Sequence, residues 1–395
     1  MSETIGDRIA IYRRRKGMSQ AQLAGLVGRS ESWLGQVERG IRSVDKLSVL
    51  MDIAQLLGVD VETLSGRQWR YAPNGGTHLS SLDDIRQALT GYQHLLAEQP
   101  IAWPLPQLNA AVTAAHSAYQ SAEYASTAGM LPSILTAVDA YDEISPDVQA
   151  IRCAAYTVAA KLLTKVGEAH LAWICADRAA TAALGAESLS TQGMAAYQVV
   201  CALLQAERTD EAEAIAVRSA EHLMPHIDPA DPEVVSQAGA LWLISGVIAA
   251  RRVDRTATEE RLATAETLAE SLGRDGNHGW SAFGPTNVAI HRASAAAEMG
   301  DPFAVLKTAS LIDLESLPEG MRGRRSMLHL NLAWAQVQRR NDPEATLHLL
   351  EVERVAPELL RFHVISREMM REMLKRERKN RTPALREVAT RAGVL

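Results

Sequence analysis

The sequence predicts an all-α protein in two unequal parts, and three observations carry that expectation. Hydrophobic residues make up 47% of the 395 residues but aromatics only 5%, with three Phe in all. Ala and Leu therefore supply most of the apolar surface, and both favour helices, whereas β-branched and aromatic residues favour strands. Over the first 67 positions apolar residues recur at helical spacing, broken repeatedly by Gly and Ser. Beyond residue 80 one kind of turn, joining an Ala/Leu-rich helix to a shorter partner, recurs at intervals of 42, 45, 46 and 41 residues. A chain of this length exceeds one compact core, so two or more domains of roughly 100 to 200 residues are expected.

The first helix spans Ile5 to Lys16, where Ile5, Ile9 and Tyr12 share a face beside Arg8, Arg13, Arg14, Arg15 and Lys16, and Gly17 stops it. Ser19 caps a second helix in which Ala21, Leu23, Ala24 and Val27 form an inward stripe that Gly28 ends. After a turn at Gly28 and Arg29, Ser30 caps a third helix with Leu34 and Val37 inward, closed by Gly40. Two short helices about a three- to four-residue turn containing Gly describe a helix-turn-helix. Leu47, Leu50, Ile53, Ala54 and Leu57 form a fourth helix and Val61 to Leu64 a short fifth, all five sharing one small core.

Charge divides along the same line. Residues 1–70 hold eleven Lys/Arg against eight Asp/Glu, and the remainder 30 against 39. The basic end is the candidate polyanion binder, although a net charge of +3 is too small to establish one. The pattern from Ser19 to Gly28, with Ser30 to Leu34 and Val37-Glu38-Arg39-Gly40, is more specific. Over residues 5–66 it resembles the phage-repressor and Cro-like XRE family, with the small Ala24, the turn Gly28, the cap Ser30 and the Glu-Arg-Gly ending at the family's spacing.

That resemblance implies a regulator of transcription that binds double-stranded operator DNA as a homodimer, because one short recognition helix reads too few base pairs. By the same resemblance Gln20 donates to a phosphate, while Ser30, Glu31, Ser32 and Gln36 read bases or touch the backbone beside them. Arg14, Arg29, Arg42 and Lys46 join the DNA-binding set, chiefly through phosphate, and Glu38 pairs with Arg13 in a structural role. Trp33 either sets its ring beside DNA or packs near Ile41, and Gly35 inside the helix allows close approach.

Residues 68–80, with Pro73-Asn74-Gly75-Gly76, read as a linker between a DNA-binding domain at 1–67 and a sensor and dimerisation domain at 81–395. The turns at Val166-Gly167, Arg208-Thr209-Asp210, Val253-Asp254, Gly300-Asp301-Pro302 and Asn341-Asp342-Pro343 mark helical repeats, and a Gly129-centred turn suggests an earlier one, for five or six in all. Their period lies nearer the 40 to 47 residues of general helical solenoids than the tetratricopeptide 34. The whole resembles a degenerate tetratricopeptide-like solenoid, whose concave face would bind a peptide or small-molecule effector. Trp280, Phe283, Asn287, His291 and Asn331 are the candidate effector residues: Asn287 and His291 lie one turn apart, and Asn331 follows one repeat later, while Trp280 and Phe283 read alternatively, and more commonly in an Ala-rich protein, as core fillers. The layout is similar to the peptide-sensing RNPP regulators of quorum sensing, and the Phe283–Val288 segment to actinobacterial regulators of this design. An alternative is a DNA-localised adaptor whose repeats bind a protein partner.

Other chemistry is thin. The dispersed Cys153, Cys175 and Cys201 read as core thiols of a reduced, cytoplasmic protein. His222 and His226 have helical zinc spacing without a third ligand, and the basic tail from Arg367 to Arg391 reads as an end cap. Phosphate-loop, nucleophile-elbow and metalloprotease patterns are lacking, so neither an enzyme nor a cofactor is expected. The first twenty residues carry charge throughout and no run of about eighteen apolar residues occurs anywhere, so no membrane association is expected.

Overall fold

The computed structural model describes residues 5–42, 44, 47–57, 59, 64, 81–92, 102–142, 144–206, 208–377, 382 and 384–395. Every regular element among them is helical. The chain forms two compact units, Met1–Ala72 and Pro73–Leu395.

In the first unit, α1 (Ile5–Arg15), α2 (Gln20–Leu26), α3 (Glu31–Glu38) and α4 (Leu47–Leu57) follow the helical punctuation of the sequence. Ser19 accepts from the Gln22 amide while the Gln22 side chain accepts from the Ser19 amide, a reciprocal cap. Ser30 caps α3 through the Trp33 amide. Gly17, Gly28 and Gly40 close α1, α2 and α3 in the left-handed region that favours glycine. Ile9, Leu23, Leu34, Ile53 and Leu64 are fully buried in one core. Of the expected fifth helix, residues 61–63 lie outside the described residues, as does the 68–80 linker. Gly6 was not foreseen as a packing residue, yet a Cβ there would lie 2.0 Å from the Val37 carbonyl oxygen, so glycine lets α1 meet the backbone of α3.

The second unit opens with α5 (Leu82–Thr90) and continues as paired helices. The pairs are α6 (Leu105–Gln120) with α7 (Tyr124–Asp139), α8 (Pro146–Val166) with α9 (Ala169–Gly185), and α10 (Leu189–Gln205) with α11 (Thr209–Leu223). They continue as α12 (Pro232–Arg251) with α13 (Arg255–Leu272), α14 (Pro285–Glu298) with α15 (Pro302–Ala309), and α16 (Arg322–Gln338) with α17 (Asp342–Val355). The first helix of each pair also packs on the first helix of the next. At the far end α16 returns to α6, where the Ser121 hydroxyl donates to the Gly320 carbonyl and Arg322 pairs with Glu123. First helices thus face one another around a common interior.

Turns within five of these pairs share one device, a single left-handed residue: Ala122, Gly167, Val253, Gly300 and Arg340. Only two are glycines, and the first turn, Ser121-Ala122-Glu123, has neither the Gly nor the Asp that marks the turns read from the sequence. Gly129, expected to centre that turn, lies inside α7, and the chain reverses instead at Ser121–Glu123. Val253 is the most strained, because a β-branched side chain at φ +60° crowds its own backbone, and it is exposed, so it gains little packing in return. Val253→Gly should therefore raise stability by roughly 1 kcal/mol, read as a higher denaturant midpoint; a lower midpoint would show the strain to be compensated.

Helix α12 is long and apolar enough to cross a membrane by length and composition, a stretch the sequence reading passed over. Its apolar window is 83% buried against neighbouring helices, so its composition is that of a central core helix. The chain ends in α18 (Pro357–Phe362), α19 (Val364–Lys375) and α20 (Leu385–Arg391), which pack back on α16 and α17. The basic tail is ion-paired there: Arg376 meets Asp342 at 2.7 Å, Arg391 meets Glu353 at 2.7 Å and Arg386 meets Glu377 at 2.7 Å.

Candidate DNA-reading surface and inner polar face

The helix-turn-helix is fixed by one buried ion pair. Arg13 of α1 donates from Nε to Glu38 Oε1 at 2.6 Å and from Nη2 to Oε2 at 2.8 Å, while Nη1 reaches the Met18 carbonyl at 2.7 Å. Gln20, at the start of α2, donates to the same carboxylate at 2.6 Å. One carboxylate at the end of α3 therefore ties α1 and α2 to it. Burial disfavours the charged carboxylate, but the hydrogen bonds from Arg13 and Gln20 and the Arg13 charge outweigh it and hold the group below its ordinary range. Glu38 thus has the structural role expected of it. Gln20, expected to donate to phosphate, already spends one amide hydrogen on this carboxylate.

On the opposite side of α3 the amino-terminal half is open. Arg29, Ser30, Glu31 and Ser32 are exposed and Gln36 is half-buried. Arg14 and Arg42 are also exposed, while Lys46 lies outside the described residues. Of the two readings of Trp33, beside DNA or packed, the structure has the packed one. Trp33 is only 8% exposed and belongs to the core of the unit, with the Arg29 guanidinium 5.6 Å above its ring, so the indole is not presented to a groove. Apolar burial outweighs display for so large a ring. Gly35 is buried beneath the side chains of Gln20 and Arg39, each 3.5 Å from where a Cβ would stand, an ordinary contact distance at which a methyl group fits.

In the second unit the segment between α13 and α14 is a wedge. Gly276 donates to the Phe283 carbonyl, and Gly279, Trp280 and Ala282 all adopt positive φ. The wedge is held from three first helices: Gln120 of α6 and Asn277 exchange amide hydrogen bonds at 2.7 and 2.9 Å, Lys161 of α8 donates to the Trp280 carbonyl at 3.2 Å, and Gln237 of α12 donates to the Gly279 carbonyl at 3.0 Å. Trp280 stacks on His116 with centroids 4.6 Å apart, a contact between parts of the chain that sequence reading had not joined.

Of the candidate effector residues, Phe283 is fully buried and its ring lies where a Cβ on Gly239 would stand, 2.0 Å from Cζ, so it is a core residue and not a ligand platform. The core-filler reading of Phe283 holds for a simple reason: in an Ala-rich interior one large ring fills volume that smaller side chains leave open. Asn287, His291 and Asn331 do belong to inner helices, α14 and α16, but all three are buried and already engaged with the protein or enclosed by it. His291 Nδ1 bonds the Asn287 carbonyl at 2.8 Å, and Asn331 donates to Ser294 at 2.8 Å. Asn287 Oδ1 is buried without a hydrogen-bond partner among the described residues. Burial, then the nearby Arg324 charge, pushes His291 down to about 3, so it is neutral at physiological pH. Cys153 and Cys175 are buried, which raises both thiols to about 12 and leaves them unreactive.

Sequence comparison bears on the first unit. Residues 4–65 match a helix-turn-helix domain family. The HTH-type transcriptional regulator SinR of Bacillus subtilis (strain 168) is 37% identical over 86 residues, which are 22% of this chain and 78% of that protein. The SinR of Bacillus licheniformis is 37% identical over 60 residues, 15% of this chain and 54% of that protein. A capped α2–α3 pair, its Arg13–Glu38 lock and this similarity converge on one conclusion: the chain belongs to the SinR-like helix-turn-helix regulators of transcription, which bind DNA.

Proposed function

We propose that the chain is a sequence-specific regulator that binds operator DNA as a homodimer, and that its second unit is a tetratricopeptide-like array binding a peptide or small-molecule effector. One observation carries the sensor half of this reading: first helices of successive pairs face a common interior lined by polar side chains, several of them partly accessible. Such an interior offers hydrogen-bonding groups to an enclosed ligand, with water as its occupant otherwise. An effector alters DNA binding only through different affinity for two arrangements of the protein. The adaptor alternative has less support, because the polar side chains turn inward and an adaptor needs an exposed apolar face.

On the DNA side, Gln36 meets a base edge and Arg14 a phosphate. Gln36→Ala should relax sequence preference, and Arg14→Ala should weaken binding to all sequences and reduce the salt slope by about one unit. Titrations of the full chain against operator and scrambled duplexes at several salt concentrations test this. Equal losses on every sequence for both variants would remove the assignment.

A further inference from the structure

Three cations lie on the inner helices, and among the described residues no carboxylate pairs with them. Lys161 and Lys165 lie one turn apart on α8, and Arg324 sits in the first turn of α16. The Arg324 charge acts on Tyr119 of α6, on both lysines, on Tyr197 and Cys201 of α10 and on His291 of α14. Geometry agrees: a Cβ on Gly323, the residue before Arg324, would stand 3.4 Å from the Gln120 carbonyl, and the Gln120 side chain donates at 3.4 Å to the same Trp280 carbonyl that accepts from Lys161, so the start of α16 lies beside the lysine helix. Tyr119, Lys161, Lys165, Tyr197 and Cys201 lie on α6, α8 and α10, first helices that pack on one another, and each keeps part of its surface accessible. That combination marks side chains lining an interior space and not filling a core.

The local hydrogen bonds leave this charge uncompensated. Lys161 donates to the Trp280 carbonyl, and among the described residues none of the three cations makes an ion pair. Burial, followed by the Arg324 charge, pushes both ammonium groups down to about 8, so they remain largely charged at neutral pH but at a cost. Burial also raises the Tyr119 and Tyr197 phenols, which therefore stay protonated and can donate. Enclosed charges are normally paired.

We propose that Lys161, Lys165 and Arg324 form an anion-binding site in the enclosed space, taking a carboxylate or phosphate group of the effector, with the Tyr119 and Tyr197 hydroxyls as further donors. The assignment rests on the effector reading above and narrows it to an anionic ligand. Two cations on one helix and a forked guanidinium opposite suit a group with several oxygens, since Arg can offer two parallel N–H donors and each Lys a point charge.

The test uses the full chain, with citrate as the carboxylate probe and pyrophosphate as the phosphate probe, at ionic strength held constant with chloride. Either probe should raise the unfolding temperature of the second unit saturably, by about 2–4 °C. Without a probe, Lys165→Met should itself raise that temperature, because it removes an unpaired enclosed charge while keeping the apolar stem. Lys165→Met and Arg324→Met should both lose the response to probe. A response to citrate alone assigns a carboxylate ligand, to pyrophosphate alone a phosphate ligand, and to both a general oxyanion site. Absence of a saturable rise with either probe, an undiminished rise in the two variants, or destabilisation by Lys165→Met without probe would overturn the proposal. DNA affinity measured in the same samples separates the two readings: saturable stabilisation with unchanged DNA affinity would keep the anion site and discard its role in regulation.

Discussion

Glu38→Ala should unfold the first unit, or nearly so, and abolish DNA binding with it. The substitution strands the buried Arg13 guanidinium and also releases Gln20. Removing one member of a buried pair costs about 3–5 kcal/mol, comparable to the whole stability of a domain of this size at roughly 0.05–0.15 kcal/mol per residue. Denaturant unfolding of the full chain, followed together with operator binding, measures both losses. The pH dependence has a definite sign. The Glu38 carboxyl is held below its ordinary value in the folded unit, so its contribution is complete above the unfolded carboxylate range and disappears as pH falls through the lower folded value. Wild type should therefore lose stability on acidification over that interval while Glu38→Gln changes less. An Ala variant with wild-type stability and DNA affinity would mean that packing alone orients α3.

The second large effect is expected at Phe283. Truncation to Ala removes a fully buried ring from the core shared by α12, α13 and α14 and should cost about 3–5 kcal/mol. Gly239→Ala should be damaging by the opposite route, since the new methyl would stand 2.0–2.5 Å from three atoms of the same ring. Because the two faults share one space, Gly239→Ala combined with Phe283→Leu should be less destabilised than the sum of the single variants. Calorimetry of the full chain gives the comparison, and the transition of the first unit should stay in place. If Phe283 instead served a ligand, its truncation would leave unfolding unchanged and abolish only the response to effector.

Chemistry that is local along the chain was legible in the sequence. Ser19 and Ser30 as caps, and Gly17, Gly28 and Gly40 as stops, each need only their neighbours within four residues, and the helices of the first unit follow them. The Arg13–Glu38 pair was legible for a different reason, because a known motif fixes its 25-residue separation. Repeat turns could be read where Gly or an Asp-Pro step marks them, at Gly167, Gly300 and Asn341-Asp342-Pro343. The first turn could not, because Ala122 is held in a left-handed conformation by the helices it joins while Gly129 sits inside one.

Which face of a helix meets protein and which meets solvent was decided only by tertiary structure. Trp33 and Phe283 are rare large rings, and a sequence cannot distinguish a ring displayed to a ligand from one needed to fill space; the packing of α3 with the rest of its unit, and of α12 with α14, buried both. The same holds for the enclosed cations. Lys161, Lys165 and Arg324 look in the sequence like ordinary solvated charges spread over more than 160 positions. They become one site because α16 returns to α6, turning first helices separated along the chain toward a common interior. Local sequence determined where helices begin and end, since caps and turns act over a few residues. Long-range closure decided what their inward faces hold, since burial and electrostatic coupling depend on neighbours brought together only by the fold.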